Sequence, residues 1–178
     1  METPKVLPVV EPANQKAKFH HKHLPKVDVG VQGGGALLLM LAPVKTGKST
    51  IISNLFLNPN FYGQYFFDDV QVLSNTIAND VTSRYMKKAF NVTDHYSDAV
   101  IDNLIKRQYD AEPEDRLDMA LILDDCLGSI KRESKINHLA SRYRHASIKL
   151  LIISSQKFKG SVSPVIRANA TNVIIGSP

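Results

Sequence analysis

The sequence feature that most constrains the fold is an apolar run that leads through a short loop into a helical pattern. Residues 36–42 are apolar and follow three consecutive glycines. Short apolar runs bounded by glycines are typical of buried strands. After the loop, "KSTIISNLFL" places Ile51, Ile52, Leu55 and Phe56 on one helical face. The pattern therefore predicts a buried strand, a tight loop and a helix packed on the strand.

The loop itself, "APVKTGKST", has the residues of a phosphate-binding loop. Backbone N–H groups and a helix N-terminus at such a loop attract anions. Lys48 would reach the β and γ phosphate oxygens, and the hydroxyl of Ser49 would ligate Mg²⁺. Ala42 replaces the first glycine of the usual G-x-x-x-x-G-K-[ST] pattern, which is tolerated where φ is negative. We predict an ATP site formed by Ala42, Pro43, Val44, Lys45, Thr46, Gly47, Lys48, Ser49 and Thr50.

A pair of carboxylates follows another apolar run, "ALILDDCL". Asp124 and Asp125 stand at the carboxyl end of this predicted strand. The first acid of such a pair holds the Mg²⁺ shell, and the second orients and polarises the attacking water. A second pair, Asp68–Asp69, precedes its apolar run. It would lie at the opposite edge of a parallel sheet, and we interpret it as a solvated turn or cap.

Three further side chains fit phosphoryl transfer. Gln156 ends the apolar run "LLIISSQ", where its amide would bond the γ-phosphate or the lytic water. Arg144 and Arg167 each stand shortly before an apolar run. A guanidinium stabilises the charge that develops during transfer, and either arginine could act on a neighbouring subunit's nucleotide. A contact with a nucleic-acid backbone, or simple surface charge, is the alternative for both.

Apolar runs alternate with helical patterns along the chain. Strands are predicted at 36–42, 70–75, 119–125, 148–156 and 171–176, and helices after the loop and at 77–90, 97–109 and 136–143. This alternation predicts an α/β fold of the P-loop NTPase class, with a mostly parallel central sheet and helices on both faces. Residues 1–30, interrupted by prolines, are predicted to be a basic arm, and residues 31–178 one ATPase domain.

Charge is unevenly distributed. The net charge is +5, but residues 131–178 hold nine Lys or Arg and one acid, whereas the first 130 residues are net acidic. This asymmetry favours an anionic partner such as duplex DNA, with a solvated basic face as the alternative. The histidines of "FHHKH" are interpreted as part of the arm, and the single cysteine, Cys126, as a packing residue.

The chain contains no apolar stretch of the roughly 20 residues that a membrane-spanning helix needs. Its N-terminus, "METPKVLPVVEPANQ", does not have the pattern of a secretory signal. We therefore expect an intracellular location.

With these motifs placed, the chain resembles the genome-packaging ATPases of large double-stranded DNA viruses and virophages, the poxvirus-type branch of the FtsK–HerA superfamily. The resemblance covers residues 35–176 and rests on "APVKTGKST", "LILDDC", "SRYRHASIKLLIISSQ" and "SPVIRANAT". It implies that Lys48 and Ser49 bind ATP and Mg²⁺, and that Asp124 coordinates the metal sphere. It further implies Asp125 as the catalytic acid and Gln156 as the coupling residue.

The same resemblance implies a biological setting. The family assembles as a pentameric or hexameric ring that threads duplex DNA into a capsid, so capsid or portal proteins are expected partners. Arg144 would be the arginine finger and Arg167 the reserve candidate. The expected location is the host cytoplasm, at viral factories, and the virion.

Two other functions fit the residues considered alone. A small P-loop kinase of nucleotides or nucleosides shares the phosphate loop, and would reveal itself by phosphate transfer to such an acceptor. A nucleotide-dependent DNA-binding assembly protein with weak turnover is the third hypothesis. It would retain DNA binding without measurable hydrolysis.

Overall fold

A central sheet of parallel strands organises the computed structural model, which describes residues 34–77, 83–156 and 162–176. The strand order is β3-β2-β4-β5-β1-β6, and every pairing of neighbours is parallel. The predicted α/β class with a parallel sheet is thus confirmed. The strands within these ranges are β1 (Ala36–Leu41), β2 (Asp69–Ser74), β3 (Asn91–Thr93), β4 (Met119–Asp124), β5 (Ile148–Ser155) and β6 (Asn172–Ile175).

Helices cover both faces of the sheet, as predicted. They are α1 (Lys48–Leu57), α2 (Ser83–Ala89), α3 (Asp98–Asp110), α4 (Lys135–Arg142) and α5 (Pro164–Asn169). Side chains alternate between the two faces along a strand. In β1, Leu37 and Leu39 pack into a core with apolar residues of α3, α4 and α5, whereas Leu38 and Met40 pack with α1 and α2. Burial on both faces explains why β1 is an uninterrupted apolar run.

One strand and one α-helix within the described ranges were absent from the sequence prediction. β3 has only three residues, "NVT", with no apolar run, and it forms through pairing with β2. α5 is too short for a periodic pattern, but it carries a recognisable start signal. The Ser163 hydroxyl accepts the backbone N–H of Ile166 at 3.2 Å, and Pro164 occupies the first helical turn.

The other helix predictions differ from the structure at their ends. α3 and α4 each lie within one residue of their predicted bounds. The helix predicted at 77–90 is observed from Ser83, because Ile77 lies in a turn and residues 78–82 lie outside the described ranges. The predicted arm at 1–30, with its histidine cluster, also lies outside them, as do Lys157 and Lys159.

The strand order places the predicted site residues at one edge. β5 lies between β1 and β4, so Leu41 pairs with Ser155, and Leu123 pairs with Ile153. Since all three strands are parallel, their carboxyl ends meet at the same edge of the sheet. β6 pairs with β1 on the other side, and its residues are exposed, as expected for an edge strand. Within the described residues, no helix is long and apolar enough to cross a bilayer.

Candidate active site

The loop after β1 contains two residues in the left-handed backbone conformation. Gly47, immediately before α1, adopts a left-handed conformation with φ 88°, and Lys45 has φ 64°. A Cβ on Gly47 would meet nothing within 4 Å, so the backbone conformation rather than crowding favours glycine here. The backbone N–H of Ile51 donates to the carbonyl of Gly47 at 2.9 Å, which closes the first turn of α1. The observed loop is therefore the predicted strand–loop–helix unit.

Lys48 lies against the entrance of this loop. Its side chain is buried, and Nζ donates to the carbonyl oxygens of Ala42 at 2.7 Å and Pro43 at 2.9 Å. These bonds use two of the three N–H donors of the ammonium group. The Thr46 hydroxyl also donates to the Pro43 carbonyl, at 2.7 Å. The loop thus holds its cation beside the backbone that would surround a phosphate.

Asp124 is the last residue of β4 and is buried, with 6% of its surface exposed. The Ser154 hydroxyl donates to its Oδ1 at 2.5 Å, and the Ser74 hydroxyl donates to Oδ2 at 3.4 Å. Serines on both neighbouring strands, β5 and β2, therefore fix the carboxylate. Such fixed orientation is what a metal-binding carboxylate requires.

Asp125 begins the turn after β4 with φ 52°, a left-handed conformation that aspartate tolerates better than most residues. Its backbone N–H donates to the Ser154 hydroxyl at 3.1 Å. The side-chain amide of Gln156 donates to its Oδ2 at 3.3 Å. The structure thus brings Asp125 and Gln156 together, a contact that the sequence pattern did not predict.

The serines that hold the acids were not predicted. Ser154 accepts from the backbone of Asp125 and donates to the carboxylate of Asp124, so one buried hydroxyl orients both acids. The signal was present in the sequence, because "SSQ" ends a strand that is otherwise apolar. A buried hydroxyl next to a predicted acid strand indicates a hydrogen bond across the two strands.

The donor set between the loop and the acids fits Mg²⁺. Ser49, at the start of α1, and Asp124 line the same small cleft, together with Ser53 and Ser74. Mg²⁺ prefers oxygen ligands and usually takes one or two carboxylates plus substrate phosphates. Among the described residues there is no group of three His, Cys, Asp or Glu side chains that could hold a metal by itself. A site of this kind needs the oxygens of a bound nucleotide to complete it.

Arg144 lies at the opposite edge of the sheet from the loop. It belongs to the short 3₁₀ turn before β5, its Nε donates to the carbonyl of Gly35 at 3.2 Å, and its guanidinium lies over the ring of Tyr143. Gly35 precedes β1, and the loop follows it. Six strand residues span about 20 Å. Arg144 therefore cannot reach the loop of its own chain.

Arg167 lies near the end of α5 and is half-buried. The backbone N–H of Thr171, just beyond this helix, donates to the carbonyl of Leu37 at 2.9 Å. The end of α5 therefore lies beside the beginning of β1 rather than beside the loop. The two predicted arginines thus both lie toward the amino edge of the sheet.

The competing acid pair lies at the amino edge of the sheet, as predicted, but the side chain of Asp69 is largely buried in a strand rather than part of a solvated turn. Asp69 is the first residue of β2, at the amino edge of the sheet, and pairs with the guanidinium of Arg107. The carboxylate of Asp68 accepts the backbone N–H of Asp118 at 2.8 Å. Both carboxylates therefore tie strand ends and loops together at the edge away from the site.

Cys126 follows the acid pair, but its surroundings indicate a packing role rather than a catalytic one. It is fully buried, and its Sγ donates to the carbonyl of Leu73 at 3.2 Å. Burial raises the pKa of the thiol to about 12. A thiol that stays protonated at neutral pH is a poor nucleophile, which agrees with the predicted packing role.

A cavity of about 390 Å³ lies away from this site, between α3 and α4. It is lined by Asp102, Ile105, Tyr109, Glu133, Lys135, His138, Leu139, Arg142 and Ala146. Lys135 and Asp102 form an ion pair at its wall, with Nζ 3.3 Å from the carboxylate. None of the predicted catalytic or nucleotide-binding residues lines this cavity, so it is not the candidate site of phosphate chemistry.

No protein-family profile matches the sequence. The uncharacterized protein 088R of Invertebrate iridescent virus 3 is 26% identical over 147 residues, which cover 80% of this chain and 53% of that protein. The chain thus spans about half the length of the curated relative that it matches.

Solved structures also resemble the chain. The genome packaging NTPase B204 of Sulfolobus turreted icosahedral virus 2, in complex with ATP-gammaS, matches with a TM-score of 0.52 and 19% identity over 79% of this chain and 74% of that one. C. elegans PCH-2 matches with a TM-score of 0.47 and 14% identity over 79% and 35%. The likeness to B204, together with the parallel sheet, shows that this chain has the α/β fold of a P-loop NTPase.

Proposed function

We propose that this chain is an ATP-hydrolysing motor that translocates double-stranded DNA during the packaging of a viral genome. One observation carries the proposal. Three neighbouring parallel strands end at one edge of the sheet, where they bring together the loop that holds Lys48, the acids Asp124 and Asp125, and Gln156. A phosphate cradle, a fixed carboxylate and a water-polarising carboxylate are the parts that nucleotide hydrolysis needs.

The chemistry divides among residues of the chain. The N–H groups of the loop and the start of α1 bind the phosphates of ATP, and Lys48 places its charge beside the β and γ oxygens. Ser49 and Asp124 would hold Mg²⁺, which neutralises phosphate charge when bound. Asp125 orients a water molecule and accepts its proton as that water attacks the γ-phosphorus, and the bond from the γ-phosphorus to the β–γ bridging oxygen breaks to release ADP.

Gln156 supplies the coupling. Its amide donates to the carboxylate of Asp125 and stands at the end of β5, which lies between the strand of the loop and the strand of the acids. A γ-phosphate or an attacking water would compete for the same amide. The hydrogen bond between Gln156 and Asp125 would therefore break when the nucleotide carries its γ-phosphate and form again after hydrolysis.

A viral packaging role is supported by two kinds of likeness. The chain shares its fold with the packaging NTPase B204 and part of its sequence with an iridescent virus protein. The exposed basic residues around α4, which include Lys131, Arg132 and Arg142, offer a surface for the phosphates of DNA. The expected setting is a ring of identical subunits in the host cytoplasm, with capsid or portal proteins as partners.

The proposed motor predicts hydrolysis that depends on DNA. ATP turnover by the assembled oligomer should rise several-fold when duplex DNA is added, and this rise should shrink as salt concentration increases, because phosphate contacts release counterions. Phosphate release measured with and without duplex DNA at two salt concentrations tests this. Absence of stimulation in an assembled oligomer would contradict the DNA motor. Phosphate transfer to a nucleoside or nucleotide would instead establish a kinase.

Arg144 is proposed as the finger that completes the site of the neighbouring subunit, because it cannot reach the loop of its own chain. An arginine finger contributes about 10³–10⁵ in rate, so Arg144→Ala alone should be nearly inactive. Subunits with Lys48→Ala keep Arg144, and subunits with Arg144→Ala keep the loop. An equal mixture assembled at random should therefore regain about one quarter of wild-type hydrolysis. In a head-to-tail ring, each site lies between the loop of one subunit and Arg144 of the next, and both are intact at about one site in four.

The mixing experiment is decided by comparison with the separate variants. If the mixture is no more active than either variant alone, Arg144 does not act between subunits. The same design with Arg167→Ala tests the reserve candidate. Thermal unfolding of each variant shows whether lost activity reflects lost stability, since Arg144→Ala also removes the hydrogen bond to the carbonyl of Gly35.

A further inference from the structure

The end of β6 lies against the entrance of the phosphate loop. Gly176 follows β6, and its backbone N–H donates to the carbonyl of Leu41 at 2.8 Å. On the other side, the backbone N–H of Ala42 donates to the carbonyl of Ser155 at 3.0 Å. The first residue of the loop is therefore held between the ends of β5 and β6.

Ala42 and Gly176 share a space that fits only one methyl group. A Cβ on Gly176 would lie 2.7 Å from the Cβ of Ala42 and 3.9 Å from that of Thr46. Carbon atoms in contact sit about 3.5–4.0 Å apart, so the two methyl groups would have to separate by about 1 Å. Ala42 is buried, which leaves it little room to move outward.

We propose that Gly176 is a positioning residue for the phosphate loop, because it leaves the space that the Ala42 methyl group fills. The chain carries alanine where such loops usually carry glycine, and it carries glycine at the facing position, directly after β6. A side chain at 176 displaces the entrance of the loop, where the carbonyl of Ala42 holds Lys48. This inference rests on the proposed nucleotide site, and it means that the residue after β6 helps to position the entrance of the phosphate loop.

The proposal predicts a specific pattern of affinities. Gly176→Ala should weaken ATP binding at least about tenfold, since displacements of about 1 Å in a site have large effects. Ala42→Gly alone should change affinity only modestly. The double variant Ala42→Gly/Gly176→Ala should bind nearly as the wild type does, because the facing methyl group has been removed. Such recovery is the signature of direct coupling between two residues.

The experiment measures equilibrium ATP binding and backbone amide exchange in the loop for all four proteins. Gly128→Ala is the matched control, since a Cβ there meets nothing within 4 Å, and it should leave affinity unchanged. Rescue of Gly176→Ala by Ala42→Gly is a result that a general loss of stability would not produce. Wild-type affinity in Gly176→Ala, or a double variant no better than Gly176→Ala, would overturn the proposal.

The exchange measurement separates this inference from the proposed function. If the wild type does not bind ATP, the proposed function is wrong, and amide exchange alone decides the Ala42–Gly176 coupling. Faster exchange of loop amides in Gly176→Ala, restored in the double variant, would support the coupling. Unchanged exchange would contradict it.

Discussion

Lys48→Ala is expected to reduce the rate of ATP hydrolysis at least about 100-fold, the loss typical when one donor to a developing charge is removed. The buried ammonium group is fixed by the carbonyls of Ala42 and Pro43, so its position does not have to be organised during the reaction. Alanine removes both the charge and the link between the helix and the loop entrance. No other residue of the loop supplies a buried cation at this place.

The measurement is steady-state phosphate release, with ATP affinity determined in parallel. Lys106→Ala, on an exposed part of α3, is the control and should retain wild-type turnover. Lys48→Gln keeps an N–H donor for the loop carbonyls without the charge, so it distinguishes loss of charge from loss of loop structure. Hydrolysis by Lys48→Ala within about threefold of the wild type would mean that "APVKTGKST" is not a working phosphate loop.

The sequence predicted the phosphate loop and the acids because both occur where the chain changes its hydrophobic pattern. Residues 36–42 and 119–123 are apolar, and the first polar groups after each run are functional candidates. In a parallel sheet such positions share one edge. The same reasoning correctly placed Asp68 and Asp69, which lie at the start of β2, at the other edge.

The strand order could not be predicted from the sequence. β5 lies between β1 and β4, although β1 and β5 are separated by more than 100 residues in the chain. Pairings of this kind depend on long-range packing and leave no local pattern. The contact between Gln156 and Asp125, and the double role of the Ser154 hydroxyl, follow from that order. Their residue types could be noted in advance, but their partners could not.

The facing pair Ala42 and Gly176 illustrates the same limit. Ala42 stood out because it departs from a familiar pattern, whereas Gly176 is an ordinary glycine after a short apolar run. Only the pairing of β6 with β1 places the two beside each other. A departure from a motif at one position is then explained by a residue more than 130 positions away.

Asp125→Asn is expected to lower the turnover of ATP about 100-fold or more while leaving ATP affinity within a few-fold of the wild type. General base catalysis contributes about 10²–10⁴ in rate, and an amide cannot accept the proton of the attacking water. Asparagine tolerates the left-handed backbone at φ 52° as well as aspartate does, so the turn after β4 should be kept. Asp115→Asn, in an exposed turn, is the control.

Comparison with Asp124→Asn makes this prediction specific. The hydroxyls of Ser154 and Ser74 both donate to the carboxylate of Asp124, so an amide there would set its own donors against one of them. We therefore expect Asp124→Asn to weaken both Mg²⁺-dependent ATP binding and turnover. Equilibrium binding and single-turnover hydrolysis of the two variants separate the roles, because only a metal ligand should affect the first. If Asp125→Asn weakened binding as much as Asp124→Asn, then Asp125 would belong to the nucleotide-binding shell, and the water-polarising role would have to be assigned to another residue.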